Sequence, residues 1–196
     1  VIGAGQMGNG IAHVCALGGY DVLLGDADPS RIDTAIQIIA KNMTRQAQRN
    51  VIKQADMDAA LKRIKGAPAI ADMAPCDLVI ESIIEQDEAK RKVFADLKAV
   101  LRADAILASN TSSISITRLA AATDRSDKFI GLHFMNPAPV MEIVEIIRGL
   151  GTSQETYDTS VAFIQSLGKN IANAEDFPAF IVNRILVPMI NEAVYT

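Results

Sequence analysis

Apolar and polar residues follow two repeating patterns along the chain, and these patterns predict strands and helices in alternation. Short apolar runs typical of buried strands cover residues 20–24, 77–81, 105–108 and 129–132. Segments with helical spacing of apolar residues lie between or beside them, at residues 6–17, 28 to about 50, 56–64 and 86–101. Alternating strands and helices are typical of α/β proteins, so we predict a doubly wound, Rossmann-like, mostly parallel sheet.

The two ends of the chain depart from this regular pattern. Only Val1 and Ile2 precede the first glycine, whereas a buried strand usually needs about five residues. We therefore expect the first strand to be truncated, which leaves a leader upstream open. Residues 180–196 form an apolar, helix-like run without a terminal cap. We predict one domain over residues 1–176, and in residues 177–196 the first helix of an otherwise missing, all-α C-terminal domain.

A glycine-rich motif opens the first predicted helix. Gly3, Gly5 and Gly8 form the pattern G-x-G-x-x-G, in which the glycines allow a tight turn, close approach of a pyrophosphate, and packing of helix on strand. The helix N-terminus supplies free N–H groups and a partial positive charge. Asp26 ends the next strand, eighteen residues after Gly8, near the spacing expected for the acid that binds a ribose 2′-hydroxyl. The motif predicts dinucleotide binding.

Composition and charge limit the classes of protein to which the chain can belong. The chain has 196 residues and a formal net charge of −4, with no basic run that would indicate nucleic acid as a partner. No apolar stretch reaches about 18 residues, so we expect no membrane-spanning helix. Cys15 and Cys76 form no C-x-x-C or other metal-binding pattern. Reduced cysteines in apolar surroundings favour an intracellular, cytoplasmic protein.

Two polar features of the predicted helices have open interpretations. Lys41, Arg45 and Arg49 share one face of the long second helix, and they are either solvated charges or contacts for a phosphate-rich ligand. His13 lies on the first helix. A polar residue near a helix surface needs no function, and we assign His13 none.

The carboxyl ends of the predicted strands gather polar residues at one edge of the sheet, where open α/β sheets bind their ligands. These residues are Gly3, Asp26, Glu85, Asn110 to Ser113, and His133. Glu145 lies inside an apolar run over residues 140–147, where strand alternation places it beside Met141, Ile143 and Ile147. A buried carboxylate needs a partner. A His133–Glu145 pair would meet that need, although sequence spacing alone does not bring the two within bonding distance.

Four stretches together resemble the 3-hydroxyacyl-CoA dehydrogenase family, and most closely its short-chain, bacterial 3-hydroxybutyryl-CoA dehydrogenase branch. They are Val1-Ile2-Gly3-Ala4-Gly5-Gln6-Met7-Gly8, Ala108-Ser109-Asn110-Thr111-Ser112-Ser113, Gly131-Leu132-His133-Phe134-Met135-Asn136-Pro137 and Phe180-Ile181-Val182-Asn183-Arg184. The last three are far more specific than the glycine motif. The resemblance covers essentially the whole chain.

The resemblance implies a set of roles for individual residues. His133 is the implied catalytic base and Glu145 its partner, twelve positions later, while Ser112 and Asn183 are implied to contact substrate and nicotinamide. Asn42 and Arg49 match positions that touch coenzyme A. The implied NAD-binding positions are Gly3, Gly5, Gln6, Met7, Gly8, Asp26, Glu85, Lys90, Ser112 and Asn136. No metal is implied.

The implied reaction is hydride transfer between NAD and an L-3-hydroxyacyl-CoA, with His133 taking the 3-hydroxyl proton and Glu145 stabilising the imidazolium. The implied assembly of the full-length protein is a homodimer. Two alternatives stay open: a dehydrogenase of free hydroxy or sugar acids, and a non-catalytic NAD-binding protein like the lens-crystallin relatives. The chain departs from the family at Phe177-Pro178-Ala179-Phe180, where glycine usually follows the proline, so the local turn is the feature that this departure affects.

Overall fold

A computed structural model describes residues 1–196 as seven strands and seven helices. The strands are β1 (Val22–Leu24), β2 (Ile64–Gly66), β3 (Leu78–Glu81), β4 (Ile106–Ser109), β5 (Phe129–Phe134), β6 (Ile143–Arg148) and β7 (Asn170–Glu175). The helices are α1 (Gln6–Leu17), α2 (Pro29–Gln48), α3 (Gln54–Arg63), α4 (Asp87–Lys98), α5 (Ile116–Ala120), α6 (Gln154–Ser166) and α7 (Val182–Tyr195). Two short 3₁₀ helices cover Ile70–Met73 and Ser126–Lys128.

The strands are ordered β2-β1 in one sheet and β3-β4-β5-β6-β7 in the other. Ile2 joins the two sheets, because it forms parallel bridges to Gly25 after β1 and to Glu81 at the end of β3. All strand pairs are parallel except β5–β6, which is antiparallel. The predicted mostly parallel, Rossmann-like sheet is therefore confirmed.

Helices cover both faces of this sheet. A separate apolar core lies between the sheet and each of the two helix layers. One core contains Ile11 of α1 and Ile39 of α2 against Ile130 of β5. The other contains Phe94 of α4 against Phe129, whose rings meet edge-on with centroids 4.8 Å apart. Successive residues of β5 point to opposite faces, so the two cores divide at this strand, and all six of its residues are buried.

Local sequence explains where the first helices begin. Asp28 caps α2 by accepting a hydrogen bond from the backbone N–H of Ser30, and Pro29 occupies the first turn, where its missing N–H costs nothing. In α1 the cap residue is Gly5, and no side chain caps the helix. The free N–H groups at the start of α1 therefore stay available to a ligand.

The structure corrects several details that the sequence pattern predicted. The strand expected over residues 140–147 begins only at Ile143, so Met141 lies outside it and does not share a sheet face with Glu145. The apolar pattern gave no indication of β2, α5, α6 or β7. His13, expected near a helix surface, is only 1% exposed. Burial raises the pKa of Cys15 to about 12, and Cys15 and Cys76 are both free thiols.

The turn before α7 forms although the chain lacks the usual glycine there. Ala179 and Phe180 adopt φ values of 67° and 49°, in the left-handed region that costs an ordinary residue about 1–2 kcal/mol. The helix that follows exposes large apolar side chains, among them Ile185, Val187 and Met189. No helix of the chain is both long and apolar enough to cross a membrane.

Candidate active site

The carboxyl edge of the sheet borders a cleft of about 940 Å³. Its lining combines the first glycines with residues that follow β1, β3 and β4, including Gly3, Gly5, Gln6, Met7, Asp26, Glu85, Asn110 and Ser112. These residues lie far apart in the sequence and meet because each follows the carboxyl end of a parallel strand. The structure therefore gathers these polar residues at one edge of the sheet, as the sequence predicted.

The glycines fit a bound dinucleotide at this cleft. A Cβ atom added to Gly8 would lie 1.6 Å from the carbonyl oxygen of Gly3, so α1 packs against the preceding turn as only glycine allows. A Cβ added to Gly5 would meet nothing within 4 Å, because that side of the residue is open. A pyrophosphate can approach the backbone there and accept hydrogen bonds from the start of α1.

Asp26 is held at the rim of the cleft by two backbone donors. Its Oδ2 accepts a hydrogen bond from the N–H of Ala4 at 2.8 Å, and its Oδ1 accepts one from the N–H of Asp28 at 3.0 Å. Each oxygen keeps a second lone pair, so the carboxylate can still accept from a ribose hydroxyl. Arg31 also lines the cleft.

A buried ion pair supports the loop that follows β3. Glu81 is fully buried, and its Oε1 lies 2.7 Å from Nζ of Lys90, which is 1% exposed. Its Oε2 accepts a hydrogen bond from the hydroxyl of Ser109 at 2.7 Å. Lys90 also lies 3.2 Å from Oε2 of Glu85. Glu81 was not among the site residues that the sequence indicated, although an acid at the end of the buried run Leu78-Val79-Ile80 needs a cation nearby.

Glu85 connects this buried ion pair to the surface of the cleft, because it contacts Lys90 and also lines the cleft. Its Oε1 accepts hydrogen bonds from the hydroxyl of Thr111 at 2.5 Å and from the N–H groups of Ser112 and Ser113 at 2.8 and 3.2 Å. Burial alone would raise the pKa of Glu85, but these donors and the ammonium of Lys90 outweigh it and hold the pKa below its usual range. The ionised carboxylate thus fixes the loop after β4.

His133 and Glu145 are brought together by the antiparallel pairing of β5 with β6. The two residues lie directly opposite each other in the register, which places their side chains on the same face. Nδ1 of His133 lies 2.6 Å from Oε2 of Glu145, and both residues are buried. Since an ionised carboxylate only accepts, Nδ1 carries the proton and Nε2 presents its lone pair.

The other oxygen of Glu145 is held by the start of α7. Oε1 accepts hydrogen bonds from the backbone N–H groups of Ile181 and Val182 at 2.9 and 2.8 Å. Burial alone would raise the pKa of Glu145, but the bonds from His133, Val182 and Ile181 outweigh it, and the pKa is lowered. The ring of Phe180 lies 5.8 Å from that of His133, between centroids. Asn183 follows in the first turn of α7.

A second cleft, of about 980 Å³, lies between α1, α2 and the segment after β5. It is lined by Asn42 and Arg45 of α2, by Arg49 directly after that helix, by His13 of α1, and by Asn136. The two clefts meet at Gly5, Gln6 and Arg31, which line both. The side-chain amide of Gln6 donates to Oδ1 of Asn136 at 3.2 Å. We call this second space the α2 cleft.

The structure does not place every sequence-predicted residue on a cleft surface, and His133, Glu145 and Asn183 line neither of the two clefts. Lys90 lies behind Glu85 with its ammonium held by two carboxylates, so it acts on the cleft at the carboxyl edge of the sheet only through Glu85. Gly8 packs against Gly3 rather than facing the cleft. Arg45, which the sequence placed on the same basic face as Arg49, does line the α2 cleft, where it donates to Oδ1 of Asn42.

The structure combines a doubly wound fold, the glycine turn, and a histidine–carboxylate pair at the carboxyl edge of the sheet. Together these features define the class of nicotinamide-dependent dehydrogenases. The chain belongs to the 3-hydroxyacyl-CoA dehydrogenase family, since residues 1–177 match that family's NAD-binding domain. The resemblance seen in the sequence is thus confirmed.

Individual relatives agree with this membership. The chain is 58% identical over 196 residues to a 3-hydroxybutyryl-CoA dehydrogenase of Bradyrhizobium diazoefficiens, covering all of this chain and 67% of the relative. It is 41% identical over 194 residues to a 3-hydroxybutyryl-CoA dehydrogenase of Clostridioides difficile, covering 99% of this chain and 69% of that protein. The crystal structure of an (S)-3-hydroxybutyryl-CoA dehydrogenase from Ralstonia eutropha matches with a TM-score of 0.95 at 44% identity, covering 98% of this chain and 68% of that one.

Proposed function

We propose that the protein transfers hydride between NAD and a short-chain L-3-hydroxyacyl-CoA, as in 3-hydroxybutyryl-CoA and acetoacetyl-CoA. The observation that carries this proposal is the 2.6 Å contact between Nδ1 of His133 and Oε2 of Glu145 at the ligand edge of the sheet. Relatives that share 58% and 41% of its residues are named 3-hydroxybutyryl-CoA dehydrogenases. The substrate class follows from those names together with the α2 cleft.

The pair gives His133 the properties of a general base. Glu145 keeps the proton on Nδ1, so the lone pair of Nε2 is free to take the proton of a 3-hydroxyl group. The positive charge that then forms on the imidazole is stabilised by the adjacent carboxylate. NAD, when bound, supplies the acceptor for the hydride that leaves C3. In the reverse direction, protonated His133 donates to the 3-keto oxygen.

The α2 cleft supports coenzyme A as the carrier of the acyl group. It offers the guanidinium groups of Arg45 and Arg49 and the amide of Asn42 along one face of a helix. Cationic and amide donors suit the several phosphates and carbonyls of coenzyme A, whereas a free hydroxy acid or sugar acid offers one carboxylate and no phosphate to such a row of donors. This favours an acyl-CoA dehydrogenase over the alternative with free acids.

The test of this proposal is oxidation of NADH by the protein with acetoacetyl-CoA, followed by longer 3-ketoacyl-CoAs. We expect turnover that is fastest with acetoacetyl-CoA and absent with free acetoacetate. Absence of turnover with every 3-ketoacyl-CoA would instead favour a non-catalytic NAD-binding protein. Turnover of free acids at equal efficiency would contradict the role of the α2 cleft.

The cofactor preference gives a separate prediction. Because Asp26 presents a carboxylate where the adenosine ribose binds, a 2′-phosphate there faces a like charge. We expect kcat/KM with NADH to exceed that with NADPH by about 10²-fold, since like-charge juxtaposition costs several kcal/mol. The measurement is a steady-state comparison of the two cofactors at saturating acetoacetyl-CoA. Equal or better kcat/KM with NADPH would contradict it, and loss of that activity in Arg31→Ala would identify Arg31 as the phosphate contact.

The proposal also covers the cellular location and the oligomeric state of the protein. We infer that it acts in the bacterial cytoplasm, and that the full-length protein is a homodimer. The first inference is supported by the free cysteines. The second is supported by the family resemblance. No nucleic acid or membrane partner is proposed.

A further inference from the structure

His13 is a buried polar residue that the proposed mechanism does not use. It lies in α1 with 1% of its surface exposed, and Nε2 of its ring lies 2.9 Å from Oε1 of Gln46 on α2. The other ring nitrogen, Nδ1, is buried and has no hydrogen-bond partner. Burial holds the pKa of His13 below its usual range, against a smaller opposing effect of Gln46. The bond to Gln46 is therefore the single polar interaction of a neutral, buried ring.

This bond fixes the orientation of the Gln46 amide. An amide oxygen only accepts, so the ring must donate from Nε2 and leave Nδ1 unprotonated. With Oε1 turned towards His13, the amide NH₂ group of Gln46 is turned away from it. In this arrangement His13 donates to Oε1 of Gln46 and holds that oxygen, so the NH₂ group stays free of the ring.

The freed NH₂ group belongs to the α2 cleft. Gln46, half-buried, lines this cleft together with Asn42, Arg45 and Arg49. Residues three and four apart share one helix face, so these side chains form a row along α2. Since Arg45 already occupies the oxygen of Asn42, the row consists mainly of donors. It matches a ligand with several carbonyl and phosphate oxygens.

We propose that His13 is a positioning residue that directs the amide NH₂ group of Gln46 into the α2 cleft, and that Gln46 binds the coenzyme A arm of the substrate. This inference rests on the proposed function, because it takes acyl-CoA as the substrate. It adds two residues, on two helices, to the positions that the family resemblance implies for coenzyme A.

The first test is the affinity for coenzyme A itself, measured by titration calorimetry. Gln46→Glu keeps an oxygen for His13 and replaces only the NH₂ group by a negatively charged oxygen, so we expect Kd to rise about tenfold or more. Gln46→Leu removes the donor without adding charge and should raise Kd about 3–10-fold. Gln48→Leu, on the exposed side of the same helix, is the matched control and should leave Kd unchanged.

The second test separates substrate binding from chemistry. In both Gln46 variants the KM for acetoacetyl-CoA should rise while kcat stays within about twofold, as expected when binding is lost equally from ground and transition state. With acetoacetyl-N-acetylcysteamine, which lacks the nucleotide and most of the pantetheine, the same variants should match the unmodified protein. Unchanged affinity for NAD in every variant shows that the fold around α1 is intact.

His13 is tested by loss and rescue. His13→Phe keeps a ring but removes the donor, so we expect Gln46 to lose its fixed orientation and Kd for coenzyme A to rise about 2–5-fold. His13→Gln restores an amide donor and should recover most of the affinity. A merely structural role for His13 predicts a change in thermal stability with no change in the affinity for coenzyme A.

Several outcomes would overturn the proposal. They are unchanged affinity for coenzyme A in Gln46→Glu, equal losses with the full and the truncated thioester, and no binding of coenzyme A by the unmodified protein. The calorimetric test needs no turnover, so it also separates this proposal from the proposed function. Binding through Gln46 without reduction of acetoacetyl-CoA would refute only the activity, and turnover unaffected by Gln46→Glu would refute only the role of Gln46.

Discussion

Glu145→Gln is expected to lower kcat by about 10²–10⁴-fold, nearly as much as removal of the base in His133→Ala. The reason lies in the two backbone donors, Ile181 and Val182, that hold Oε1 of Glu145. In the variant the amide oxygen must accept these two bonds, which leaves the NH₂ group facing Nδ1 of His133. The ring then carries its proton on Nε2 and cannot accept one from the substrate.

Steady-state kinetics with acetoacetyl-CoA and NADH, and with the reverse pair, measure this loss. Affinity for NAD should change little in either variant. Glu142→Gln, three residues earlier and exposed to solvent, is the matched control and should keep kcat within about twofold. The losses in His133→Ala and Glu145→Gln should not multiply in the double variant, because the two residues act as a unit. Near-normal kcat in Glu145→Gln would reduce Glu145 to a structural carboxylate.

Lys90→Met is expected to lower the free energy of unfolding by about 3–5 kcal/mol, which is the usual cost of leaving one partner of a buried ion pair without the other. Glu81 is fully buried and keeps only the hydroxyl of Ser109 and the N–H of Ile83 as donors when Lys90 is gone. A loss of this size is a large part of the roughly 5–15 kcal/mol that stabilises a typical domain.

Urea unfolding followed by circular dichroism measures this change. The control is Lys92→Met on the same helix, since Lys92 forms an ion pair with Asp96 at 2.8 Å but its side chain is 76% exposed. Exposed pairs contribute about 1 kcal/mol or less. Adding Glu81→Gln to Lys90→Met should recover part of the loss, because it removes the unpaired charge. A cost for Lys90→Met no greater than that for Lys92→Met would show that Glu81 does not depend on its cation.

Sequence reasoning could predict the parts of this fold that apolar patterns specify. The strands around Val79 and Leu107 are short apolar runs, and their order with the helices indicates a parallel sheet with one ligand edge. The strand β7 could not be found in this way, because it lies at the edge of its sheet and only Ala174 in it is buried. Its sequence therefore carries little apolar signal.

The candidate site was predictable in its residue types but not in its contacts. The pairing of His133 with Glu145 depends on the register of β5 and β6, and a slip of one residue would turn Glu145 to the other face. The bond between His13 and Gln46 joins residues of two helices that lie 33 positions apart in the sequence. No fixed sequence spacing predicts such a contact. The position of His13 under α2 is a result of tertiary packing.

The attachment of Glu145 to α7 uses main-chain groups alone, and this sets which changes the site can tolerate. Nearly every amino acid has a backbone N–H group, so other residues at positions 181 and 182 would donate to Glu145 equally well. These two side chains can therefore change without loss of the hydrogen bonds to the carboxylate. Proline is the exception, because it has no N–H to donate. A comparison of side chains therefore does not reveal this support of the His133–Glu145 pair. The support restricts the sequence only by excluding proline at positions 181 and 182.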